Sequence, residues 1–415
     1  MTRLLLFAAL AATASATTRP ALFADLADRA RALPAEFAAD ALLRIADAPA
    51  VFDIAWKREV LEDAFRVASG AQQPLARRNW TGKPGSLFDK AYAQGLDVCT
   101  LQCRAVHAML AIDYKKAREL FAEIPPPQIP RLTCDDALVY DPSIFYATAV
   151  EVAARAFNAK EIADEEPFHL LLRFSQVTSP TQIAPAARML AGASLKPAQM
   201  EALTASLGGV LQQISGDDRS FSAALSDGAD AAIAALHSQP LVDAWQASVA
   251  RQLKETRCTD PQPAGQCDSP QCQQLAKQFS SLVVGPNGYG LTPEQKSTAE
   301  WGGKLRLFLA GLADWKDDND PAEYFQFKTR FYSELYNQTP SGPERDLLLS
   351  AVLIWLQQNS YQRDHRVEWF YPVNTLIIHA PSMRDLRRSA DPVIAFYSEL
   401  EQLLPRPQNV TIGLL

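Results

Sequence analysis

Alternating apolar and polar residues, the mark of a half-buried strand, are almost absent from this chain of 415 residues. The two stretches that come near the pattern, Trp369 to Ile378 and Val410 to Leu415, are too isolated to build a sheet. That excludes the sheet-based fold classes. Long hydrophobic runs are missing too. The greasiest internal run, Leu347 to Leu356, is about half of a bilayer span, which needs about 20 apolar residues. It reads as a helix buried on nearly all sides, and no transmembrane segment is expected in the mature chain. Basic clusters are scarce: 40 Lys and Arg stand against 47 Asp and Glu, for a net charge of -7. Arg363, Arg366, Arg384, Arg387 and Arg388 are interleaved with Glu368 and Asp385 and read as a solvated face. Nucleic acid, whose binding rests on clustered cations, is not an expected partner.

Chemistry-bearing motifs are equally thin. There are 5 histidines, none in an H-E-x-x-H pattern. A G-x-S-x-G elbow and an S-x-x-K pair with its partners are both lacking. Gly285 to Gly290 is glycine-rich but has no Lys-Ser/Thr to hold phosphate, so it reads as a tight turn. No catalytic residue and no cofactor is predicted. His169 in FHLLLRF reads as a packing residue. His237 precedes a helix stop, and His365 and His379 flank Trp369-Phe370-Tyr371.

What the chain does have begins at its N-terminus. Arg3, the apolar run Leu4 to Ala12 and the small residues Ala14-Ser15-Ala16 form the pattern of a secretory signal peptide over residues 1–16. No cysteine follows it to carry a lipid. The alanine and arginine usage resembles that of a high-GC bacterium, so the expected destination is the periplasm or the medium.

The 28 prolines sit where helices tolerate them. Ser179-Pro180-Thr181-Gln182, Thr292-Pro293-Glu294-Gln295 and Asp320-Pro321-Ala322-Glu323 each offer a capping residue, proline at the first helical position, and Gln or Glu at the third. Asp141-Pro142, Ser269-Pro270 and Asp391-Pro392 repeat the first half. Between such starts lie segments with helical periodicity. The reading is all-α: an irregular array of stacked helix hairpins, α-solenoid-like, with an α/α toroid as the alternative. The expected division is a signal peptide over 1–16, a helical hairpin array over 17–257, a Cys- and Gly-rich connecting segment over 258–291, and a C-terminal helical domain over 292–415 packed on the first. Gln72 to Ser86 reads as an exposed loop.

The organising stretch is Asp97 to Pro127. Asp97 is a good N-cap for a helix with Leu101, Ala105, Ala108, Met109 and Ile112 on one side. Asp113 starts a second helix, whose Tyr114, Ala117, Leu120, Phe121 and Ile124 form an apolar stripe. Pro125 to Pro127 end it. The run AMLAIDYKKARELFAEIPPP resembles the middle and end of a tetratricopeptide repeat, with its small residues, D-Y turn, alanine, Phe and closing proline. The resemblance covers about one repeat and implies a helix hairpin over 97–127.

Six cysteines in an exported chain point to disulfides. The candidates fall into two groups, Cys99, Cys103 and Cys134, then Cys258, Cys267 and Cys272. Cys99 and Cys103 lie one helical turn apart, with Cβ atoms about 5 to 6 Å apart, whereas a bridge wants about 3.8 Å. They are not expected to pair with each other. The second trio would close one short loop. The competing reading of the first trio is a Cys₃His metal site of Cys99, Cys103, His107 and Cys134. Oxidising surroundings favour disulfides, and His107 then becomes a partly buried histidine donating to a backbone carbonyl.

Asp317, Asp318, Asn319, Asp320 and Glu323 could offer oxygens to calcium, although a capped interhelix loop accounts for them. Tyr324, Phe325, Phe327 and Tyr332 form an aromatic stripe that is core by default. The function expected is that of an exported, non-catalytic scaffold or binding protein of the bacterial cell envelope, with a protein, peptide or envelope component as partner. The alternative is a glycan-active hydrolase or lyase of toroid type, which would need two inward carboxylates.

Overall fold

The computed structural model describes residues 21–71, 95–129, 131–132, 140–214, 218, 220–255, 267–285, 288–316, 321–361, 369, 386 and 388–404. These residues form an all-α protein. Their β-structure is confined to one isolated bridge between Val284 and Gly290. The signal-peptide pattern, the loop at 72–86, Cys134, Cys258, His365, His379 and Asp317 to Asp320 lie outside the described residues, as do the Val410–Leu415 stretch and, apart from Trp369 itself, the Trp369–Ile378 stretch.

The chain divides into two compact units near residue 262. In the first, residues 21–31 (α1) are helical, followed by α2 (Ala35–Ala46) and α3 (Ile54–Ala68). Then come α4 (Val98–Leu110), α5 (Tyr114–Glu123), α6 (Ser143–Arg155), α7 (Ala159–Ala163) and α8 (Glu166–Phe174). A 3₁₀ turn (Pro180–Gln182) leads into α9 (Ile183–Gly192), α10 (Pro197–Leu211), α11 (Ser220–Ser226), α12 (Ala229–Ala234) and α13 (Gln239–Glu255). Packing runs along the chain: α2 on α3, α3 on α4, α4 on α5 and α6, and α6 on α8 and α9.

The 97–127 hairpin forms, although Tyr114, read as part of the apolar stripe, is exposed at the first turn of α5. Asp97 accepts from the amide of Thr100 at 2.9 Å, and Asp113 accepts from that of Lys116 at 3.0 Å. Each cap satisfies a backbone donor that the first helical turn leaves open. Ala117, Leu120 and Phe121 of α5 are buried, and α5 packs on α4 and α6. A half-buried ion pair ties two of these helices: Arg104 on α4 donates to the buried Asp40 on α2 at 2.7 Å.

The second unit comprises α14 (Pro270–Val283), α15 (Pro293–Lys296), α16 (Ala299–Asp314), α17 (Pro321–Gln338), α18 (Pro343–Gln358) and α19 (Pro392–Leu403). Helix α14 lies in the stretch read as a connecting segment and belongs to this unit. Its core is aromatic: Phe279, Phe308 and Phe331 meet with ring centroids 5.1 to 5.8 Å apart. The stripe Tyr324, Phe325, Phe327 and Tyr332 is buried here. Helix α16 crosses α14 closely at Gly311, where an added Cβ would stand 3.2 Å from Leu275.

Prolines open helices throughout. Capping boxes form at Ser179 with Gln182 and at Thr292 with Gln295. Ser269 and Asp391 cap the helices that Pro270 and Pro392 begin. Glu323 does something its sequence position hides. Its carboxylate accepts from the amides of Asp268 at 2.8 Å and Ser269 at 3.1 Å, and from the Ser269 hydroxyl. A residue of α17 thus caps α14. The run Leu347 to Leu356 is not buried on nearly all sides. Leu348, Val352, Trp355 and Leu356 face the core, but Leu347 and Ile354 are exposed, because a stripe about 100° wide suffices to seat a helix.

Lys328 is buried in this aromatic core. Its ammonium donates to the Trp315 carbonyl at 3.0 Å and to the Tyr324 hydroxyl at 3.0 Å. Burial pushes it down to about 7, against the opposing pull of Asp314.

Candidate functional site

A cleft of about 600 Å³ opens on the first unit, where the end of α5 and the proline run meet α7 and α8. Its floor follows from how α5 stops. Pro125 and Pro126 cannot extend the helix, so the chain leaves with Ile124 buried and Phe121 turned inward. Phe121 packs on Phe145 at 5.4 Å and edge-on to Phe174 at 5.7 Å, and Phe145 meets Phe174 at 4.9 Å. Edge-to-face contacts of this kind contribute about 0.5 to 1.5 kcal/mol each beyond area burial. They hold the floor rigid. Leu170 and Phe157 extend its apolar surface.

The rim is charged and partly self-paired. Arg118 lies over the Phe157 ring at 4.8 Å and pairs with Glu161 at 2.8 Å. Glu161 also closes the capping box of α7, accepting from the Asn158 amide at 2.8 Å. The Asn158 amide, and then Arg118, hold its carboxyl below the usual carboxylate range. Glu165 adopts a left-handed conformation with φ 61° ahead of α8, and Lys196 binds it at 2.9 Å. Glu119, Glu123, Glu166, His169 and Arg173 complete the rim. Glu165 and Lys196 stand outside the lining; within it four glutamates, Glu119, Glu123, Glu161 and Glu166, face Arg118 and Arg173, and there is no hydroxyl, thiol or amine. Such a surface can seat an apolar group and pair with a cation beside it. For proton transfer, Glu161 is poorly suited, since both of its oxygens are engaged and it is held ionised.

No family model, curated protein or solved structure matches this chain.

The cysteines singled out in the sequence are divided among several environments. Cys99 and Cys103 on α4 are free thiols, the first partly exposed and the second buried. His107, on the same helix, does not join them. Its side chain is 63% exposed, and Nδ1 lies 2.6 Å from Glu151; the carboxylate takes the place expected for a backbone carbonyl. Steps of four residues turn about 40° around a helix of 3.6 residues per turn, which carries His107 off the cysteine face. Cys267 and Cys272 form a disulfide with Cα atoms 5.4 Å apart. Among the described residues no group of three or more His, Cys, Asp or Glu is placed to hold a metal ion. No described helix is long and apolar enough to cross a membrane.

His169 stands on the cleft rim beside Phe168 instead of packing in the core. The cleft was not visible in the sequence. The one local signal for it was Asn158 followed three residues later by Glu161, a capping pair next to the proline-terminated hairpin.

Proposed function

We propose that this chain is an exported, non-catalytic binding protein of the bacterial cell envelope. Its cleft between α5, α7 and α8 seats an apolar peptide segment that carries a basic side chain. The observation that carries this reading is the pairing of an apolar floor, half-buried Phe157 and Leu170 beside buried Phe121 and Phe174, with a rim richer in glutamate than arginine. Apolar anchors supply the burial, while the excess carboxylates select a cation and reject an acid. Export rests on Arg3, Leu4 to Ala12 and Ala14-Ser15-Ala16. N-terminal sequencing of the protein recovered outside the cytoplasm is expected to begin at Thr17. A cytoplasmic protein that keeps Met1 overturns export.

The binding test is calorimetric. A synthetic peptide of alternating Leu, Phe and Lys is compared with its Glu-for-Lys counterpart. The Lys peptide is expected to bind, and Glu166→Lys to weaken it by about tenfold, or 1.4 kcal/mol. Equal affinity for both peptides, or cleavage of a glycan substrate by the same preparation, would overturn the reading.

A further inference from the structure

On its α7 side the cleft carries the parts of a guanidinium receptor. The half-buried Phe157 ring lies in the turn between α6 and α7, and Glu161 is on α7. One oxygen of the Glu161 carboxylate accepts from the Asn158 amide at 2.8 Å. In return the Asn158 side chain accepts from the amides of Lys160 at 2.9 Å and Glu161 at 3.1 Å. This capping box fixes the carboxylate from behind and leaves its other oxygen to the cleft. An aromatic face beside an oriented carboxylate suits a guanidinium, which stacks and hydrogen-bonds at once. The guanidinium found there is the chain's own. Arg118 reaches across from α5, lies 4.8 Å from the Phe157 centroid and meets the second Glu161 oxygen at 2.8 Å.

This contact is not sealed. The Arg118 side chain is 33% exposed and that of Glu161 27%, and exposed pairs and ring contacts are individually weak. Exposed side chains change rotamer quickly, so Arg118 can leave without any movement of α5. The Asn158 amide, ahead of Arg118, holds the Glu161 carboxyl below the usual carboxylate range. The carboxylate therefore stays charged when Arg118 departs.

We propose that Arg118 is a self-ligand of the cleft: it fills the subsite meant for an arginine of the bound peptide and swings aside as that arginine enters. The proposal rests on the peptide-binding reading and narrows its basic side chain to arginine. At Glu161 and Phe157 the exchange replaces one guanidinium by another. The net gain comes from the apolar neighbours of the incoming arginine, seated on Leu170 and the aromatic floor. Arg118 sets the affinity, because a subsite vacant about one-tenth of the time weakens apparent binding about tenfold. A lysine can pair with Glu161 but does not stack on Phe157 as a planar guanidinium does.

The test is calorimetry on the full chain, with the Leu-, Phe- and Lys-containing peptide and its Arg-for-Lys counterpart. Arg118→Ala is expected to bind the Arg peptide about tenfold more tightly than wild type does, and the Lys peptide only about threefold more tightly. Arg118→Gln, neutral but longer, is expected to move in the same direction, which guards against a packing defect. Adding Glu161→Gln to Arg118→Ala keeps an acceptor for the Asn158 amide, removes the charge, and is expected to cancel the gain. An Arg118 that only braces α7 gives the opposite sign, with weaker binding in both Arg118 variants. Unchanged or weaker binding of the Arg peptide, a gain that survives Glu161→Gln, or an equal gain for both peptides, which is a change of rim charge alone, would each overturn the self-ligand. In those cases wild type still binds the Lys peptide. Failure of the cleft reading itself is distinct: neither peptide binds wild type or Arg118→Ala, and the self-ligand falls with it.

Discussion

Asp40 in the first unit and Lys328 in the second are almost equally inaccessible, at 1% and 2% exposure, yet they are held in opposite ways. Asp40 meets a full positive charge: Arg104 reaches it from another helix at 2.7 Å, and its own side chain is 33% exposed. Lys328 meets neutral acceptors, a carbonyl and a phenol, with the Tyr324 ring 4.5 Å from its ammonium. The first arrangement compensates a buried charge and pins two helices together. The second disfavours the charge itself, so it ties the stability of the second unit to pH. A layered core can thus hold a polar group either as a clasp or as a titrating weakness, depending on what faces it.

The contrast can be broken from either side. Arg104→Met takes from the buried Asp40 carboxylate its cationic donor at 2.7 Å and is expected to cost about 3 kcal/mol in denaturant unfolding, the upper end for a hydrogen bond to a charged group. Lys328→Met acts through protons. The lysine titrates at about 7 in the folded chain, against an ordinary value of 10.5. Between those values the unfolded chain binds more protons, so wild-type stability rises with pH across that window. The penalty is fully present below about 7. Lys328→Met flattens the profile, and its stability relative to wild type is expected to be about 2.5 kcal/mol more favourable at pH 6 than at pH 9. A pH-independent difference would remove the titrating role.

Glu323→Ala should cost less, about 1 to 2 kcal/mol, because it opens the amides at the start of α14. Melting of the second unit, followed by its tryptophan fluorescence, reads this. Arg330→Ala removes an exposed pair with Glu334, whose side chains are 63% and 40% exposed. It is expected to change stability by less than about 0.5 kcal/mol, and a larger loss would mean that surface pairs matter as much as the buried clasp.

The parts of this molecule that are legible in its sequence are the local ones. Thr292 with Gln295, and Ser179 with Gln182, specify helix starts within four residues, and both form as read. The hairpin at 97–127 is equally local, with two aspartate caps and a proline stop. Contacts between distant segments are not legible. Glu323 looks like the third residue of its own capping box but reaches to Asp268 and Ser269, 55 and 54 residues away. The cleft needs Arg118, Phe157 and Arg173 to converge, and α7 is only five residues long, too short to announce itself by periodicity. Lys328 is invisible for a similar reason: nothing in a charged residue beside Phe327 says that Trp315 and Tyr324 will enclose it.

The most direct test of the binding site is hydrogen exchange on the full chain, with and without the Leu-, Phe- and Lys-containing peptide. The account predicts slowed exchange in α5, in α7 and in α8, with the amides of α17 unchanged. Uniform protection, or protection that falls on α17 while the cleft segments exchange as before, would contradict it.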